Sequence, residues 1–78
     1  MRGMNQQFPH SPALITGARI RELRDRDGTS RLALSRRADT HITHLARIEV
    51  GDANPSLGTL TRIADALGTS VADLVRDV

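Results

Sequence analysis

The 78-residue chain contains no cysteine, no lysine, no tryptophan and no tyrosine, and its one aromatic side chain is Phe8. Without cysteine there can be no disulfide and no thiolate metal site, and redox chemistry says nothing about compartment. Proteins that hold single-stranded nucleic acid stack bases on aromatic side chains, and this chain has no such platform. No apolar run is long enough to cross a bilayer and no signal-peptide pattern opens the chain, so a cytoplasmic protein is expected. Nor is there a glycine-rich phosphate loop after a strand, a nucleophile elbow or a carboxylate pair suited to a cleft. Neither enzymatic activity nor a cofactor is expected. A domain this small buries only about 60% of the surface its unfolded chain exposes. Helix packing or dimerisation must then supply stability that no staple provides.

What is present is arginine. The formal charge is only +2, but it is unevenly spread. Residues 1–50 hold nine arginines against five acids, a net of +4, and residues 51–78 hold two against four, a net of −2. A basic front and a mildly acidic back fit a single surface facing a polyanion.

Residues 1–12, MRGMNQQFPHSP, show no hydrophobic period and read as a flexible arm. The remainder, 13–78, reads as one all-α domain of five helices. Helix one is expected from about Ala13 to Asp27, with Ile20, Leu23 and either Thr16 or Ala18 inward, and Gly28 as its stop. Helix two follows the cap Ser30 and ends near Arg37. Helix three runs from about His41 to Val50, with Thr40 as the expected cap and Gly51 as terminator. Helix four follows Ser56, carries Leu57, Leu60, Ile63, Ala64 and Leu67 at helical spacing, and stops at Gly68. Helix five starts with Ser70 and Asp73 at capping-box spacing and carries Val71, Leu74, Val75 and Val78.

The stretch from Gly28 to Gly51, GTSRLALSRRADTHITHLARIEVG, is the most informative. Leu34, Ser35, Ala38, Leu45 and Ile48 keep one face of each of two short helices inward across a tight turn, as a helix-turn-helix requires. The second helix then turns Ile42, Thr43, His44, Ala46 and Arg47 outward. In a major groove, Thr43 and Arg47 are the best candidates for base edges, since arginine pairs bidentately with guanine. Ile42 either meets a thymine methyl or packs against helix two. His41 and His44 are expected near phosphates, because no third ligand stands nearby to make them a metal site. Ser30 and Arg31, at the start of helix two, suit a phosphate. Arg36 and Arg37 are either solvated or close to DNA.

Residues 16–75 resemble the phage-repressor and Cro type of helix-turn-helix domain, the XRE-like regulators. The segments that carry the likeness are GARIRELRDRDG, LALSRRA, LARIEVGDANPSL and LTRIADALGTSVADL. The resemblance implies a lambda-repressor-like fold and double-stranded DNA as partner. It also implies an internal ion pair between Arg24 and Glu49. Arg31 stands where the family usually has a glutamine that touches phosphate. Asp39 occupies a turn position where the family often has glycine, so a positive φ is expected there.

The expected function is a sequence-specific transcriptional regulator, a repressor binding a palindromic operator as a homodimer. Val71, Leu74, Val75 and Val78 are the expected dimer interface, because a short helix cannot bury all four in its own domain. The alternative is an antitoxin or other interaction module whose main ligand is a partner protein, motivated by the same apolar stripe and by the N-terminal arm.

Overall fold

Ser11, Ser30, His41, Ser56 and Ser70 each accept a hydrogen bond from a backbone N–H two or three residues on, and each starts a helix. The computed structural model describes residues 11–77. The helices are α1 (Pro12–Arg26), α2 (Arg31–Arg37), α3 (Ile42–Glu49), α4 (Leu57–Leu67) and α5 (Val71–Val75). Among the described residues there is no strand, and no helix is long and apolar enough to cross a membrane. Helix α1 begins one residue inside the expected arm, because Pro12 suits the first turn, where its missing N–H costs nothing. The rest of that arm, residues 1–10, and Val78 lie outside the described residues.

Every helix sends at least one large side chain to the common core. Ile20, Leu34, Leu45, Ile48, Ile63 and Leu74 are the largest of the fully buried residues. Helix α1 packs on α3 and α5, and α2 packs on α3 and α4. Thr16, not Ala18, faces inward on the first turns of α1.

Three expectations need correction. Thr40 does not cap α3: its buried hydroxyl donates to Ala38 O at 3.2 Å, and the His41 ring takes the cap through Nδ1. Leu57 is 71% exposed, so the apolar row of α4 begins at Leu60. Leu74 is not a dimer contact, because it is fully buried in the core, and Val71 and Val75 are partly buried against that core. Five residues are too few to hold a helix alone. Leu74 anchors α5, and the Arg19 guanidinium donates to the carbonyl oxygens of Asp73 and Leu74 at its end (3.5 and 3.3 Å). The apolar stripe that motivated a partner-protein reading is therefore largely used within the domain.

Asp39 has φ +50° between α2 and α3, the left-handed conformation expected at that turn. A side chain there costs about 1–2 kcal/mol, and glycine escapes it at an entropic cost of about 0.5–1 kcal/mol. Asp39→Gly is expected to leave the melting midpoint unchanged or raise it by a few degrees. A clear fall in thermal melts would contradict this.

Candidate nucleic-acid interface

Helices α2 and α3, with the residues that cap them, carry all the expected DNA-facing residues. On α3 the apolar side chains Leu45 and Ile48 and the carboxylate of Glu49 point into the protein. Thr43 and Arg47 lie opposite them and are exposed, while His44 and Ala46 are half-buried at the flanks. Ile42 is 37% exposed and lines a shallow groove together with the half-exposed Leu32 of α2. His41 Nδ1 accepts from the Thr43 N–H at 3.1 Å, which leaves Nε2 as the donor of an exposed ring.

Behind this face lies an ionic cluster. Arg24 on α1 donates Nε to Glu49 Oε2 (2.8 Å) and Nη2 to Glu49 Oε1 (3.0 Å). Arg31 on α2 donates Nε and Nη2 to the same Oε1 (3.2 and 3.1 Å). The Glu49 side chain has no exposed surface, whereas 38% of Arg31 faces solvent. One carboxylate thus ties three helices together, and the cluster keeps a net positive charge whose exposed member is Arg31. The Glu49 hydrogen bond holds the Arg24 guanidinium above its ordinary pKa. A third link, from Arg24 Nη1 to Thr29 O (3.1 Å), fixes the loop entering α2.

The Ser30 hydroxyl accepts from Ala33 N at 3.0 Å, so the cap role is in place. Arg36 and Arg37 are exposed, and among the described residues neither has an ion-pair partner. Arg62 on α4 donates to Ala38 O at 2.9 Å and so holds the end of α2.

Besides the contacts of Arg31 with Glu49 and of Arg62 with Ala38, sequence reasoning missed two features. One is Gly17, where a Cβ would collide with the carbonyl oxygen of Ile48 and lie 2.8 Å from that of Glu49. Here α1 runs against the backbone at the end of α3. The only trace in the sequence is a glycine inside a helical pattern, which usually has a packing reason. The other is Asp52, which accepts from the Arg47 guanidinium through both its carboxylate and its carbonyl. No sequence signal marks that contact.

The sequence pattern described as helix-turn-helix matches residues 20–74. No curated protein matches the chain significantly. Among solved structures, the restriction-modification controller protein C.AhdI from Aeromonas hydrophila is similar, with 29% identity and a TM-score of 0.77 over 80% of this chain and 94% of that one. The competence regulator ComR from Streptococcus vestibularis is 38% identical, with a TM-score of 0.80 over 86% of this chain; the match spans only 23% of ComR. The hypothetical transcription factor NHTF from Neisseria has the same fold at 23% identity, with a TM-score of 0.79 over 85% of this chain and 76% of that one.

Proposed function

The chain belongs to the XRE-type helix-turn-helix family of DNA-binding transcriptional regulators, and from that premise we propose that it is a repressor gripping a palindromic operator as a homodimer. The observation that carries the reading is the division of α3. Its apolar residues are buried, while Thr43 and Arg47 stand exposed, and α2 adds the half-buried Arg31 and the exposed Arg36 and Arg37. In this reading Thr43 and Arg47 meet base edges, with Ile42 toward a thymine methyl. Ser30, Arg31, His41 and His44 lie along the phosphates. Repression follows from occupancy alone, since a domain seated on an operator blocks whatever else would bind there.

Competition binding with matched and mismatched duplexes tests these roles. Arg47→Ala is expected to cost about 1–3 kcal/mol on the preferred site and to relax preference at one base position. Arg31→Ala is expected to weaken binding to every sequence alike and to flatten the salt dependence by about one unit of slope. If Arg31 governs base preference and Arg47 does not, the roles are reversed.

For the dimer, the supporting surface is the apolar pair bracketing the loop after α3, Val50 (60% exposed) and Leu57 (71% exposed). A two-fold axis through this region would cover both, and reading a palindromic site requires the two recognition helices to lie roughly 34 Å apart, one DNA turn. Sedimentation at micromolar protein without DNA is expected to show a dimer that Leu57→Asp dissociates with unchanged helical content. A species of 8.5 kDa alone would exclude the dimer.

A further inference from the structure

Arg47 is held by its own helix end. Gly51, at φ +80°, turns the chain back after α3, a conformation that favours glycine. Its N–H donates to Ile48 O (3.1 Å), and the Asp52 N–H donates to the carbonyl oxygen of Arg47 itself (2.8 Å). This closed turn carries Asp52 back beside the Arg47 side chain. Arg47 Nε then donates to Asp52 Oδ2 at 3.3 Å and Nη2 to the Asp52 carbonyl oxygen at 3.2 Å. Both side chains are well exposed, 58% and 70%, and an exposed ion pair alone holds little. What distinguishes this pair is that the backbone already fixes one partner.

We propose that Asp52 is a positioning residue that determines specificity by aiming Arg47 at a base and denying it to phosphate. The inference rests on the base-reading role proposed for Arg47. A guanidinium has two edges that can form paired hydrogen bonds. Asp52 occupies the Nε side and leaves the Nη1 end for a guanine O6 and N7. Restricting the side chain before binding lowers the ordering cost of that contact. The carboxylate also opposes the phosphate backbone, so an Arg47 that swings toward phosphate leaves an unpaired negative charge behind. Correct and incorrect sequences are thereby separated by repulsion as well as attraction.

The test uses the duplex that the wild-type protein prefers from a random pool, together with its single-base variants at the position that Arg47→Ala flattens. Asp52→Ala is expected to cut the preference at that position roughly tenfold, a share of what a bidentate arginine–guanine pair confers. It should also steepen the salt dependence, because one repelling charge is gone. Asp52→Asn keeps an acceptor without the charge, so it should steepen the salt dependence while retaining more of the preference. Combining Asp52→Ala with Arg47→Ala should lower the preference no further than Arg47→Ala alone. Circular dichroism should report parental helical content for each variant. Full preference in Asp52→Ala, with preference lost in Arg47→Ala, overturns the proposal and leaves the DNA reading standing. If Arg47→Ala flattens no position, the base-reading role of Arg47 falls and the proposal with it.

Discussion

Arg24→Ala is expected to destabilise the protein by about 3–5 kcal/mol, the usual result of removing one partner from a buried ion pair. A chain of this length holds about 4–12 kcal/mol in total, so the loss takes a large share of it. The reason lies in Glu49, whose side chain has no exposed surface and takes four N–H bonds from two arginines. Without Arg24, the buried carboxylate keeps only Arg31, which is itself 38% exposed and shared with solvent. The loop carbonyl of Thr29 loses its partner as well. In a domain this small the melting midpoint falls roughly 4–8 °C per kcal/mol, so the change is large in a thermal melt. A double variant, Arg24→Met with Glu49→Leu, should recover much of the loss, because no unpaired charge then stays buried. An Arg24→Ala protein that melts like the parent would show that the cluster contributes little.

Gly17→Ala is expected to be as damaging, although alanine is the better helix former by about 1 kcal/mol. Its Cβ would meet backbone atoms: the carbonyl oxygen of Ile48, and Glu49 O and C at 2.8 and 3.0 Å. A backbone carbonyl cannot rotate out of the way, so α1 and α3 must separate. Separation opens the contact of Ile20 with the core and lengthens the Arg24–Glu49 bonds. Overpacking typically costs about 1–3 kcal/mol and more where the backbone must shift. Gly58→Ala supplies the control. Nothing lies nearer than 3.8 Å to its Cβ, so the same substitution should there stabilise α4 by up to about 1 kcal/mol. Opposite signs in paired melts are the expected result. Equal and small effects would mean that α1 and α3 approach less closely than described.

How much of this was legible beforehand depends on the reach of each interaction. Serine caps, helix-stopping glycines and apolar spacing act within a few residues, and they placed the first four helices to within a residue, whereas helix five starts as expected but ends at Val75, three residues before Val78. The His41 cap departed from expectation because the Thr40 hydroxyl had a buried carbonyl to serve instead. Leu57 and Leu74 both fitted a helical stripe, yet one is exposed and the other is core. Periodicity says which residues share a face but not how much of that face is covered. The contacts that shape the site connect distant segments: Arg31 to Glu49, Arg62 to Ala38, Gly17 to the end of α3. Only the last leaves a local mark, a glycine inside a helical pattern. Resemblance to the family implied the pairing of Arg24 with Glu49, but not that Arg31 would join it.

The roles proposed for the interface all require that exposed residues of α3 read the sequence of duplex DNA. Selection of bound duplexes from a random pool at physiological salt tests it most directly. One motif made of two inverted half-sites, centred about ten base pairs apart, is expected to be enriched. A pool that stays unenriched after repeated rounds, with binding governed by salt alone, would contradict it.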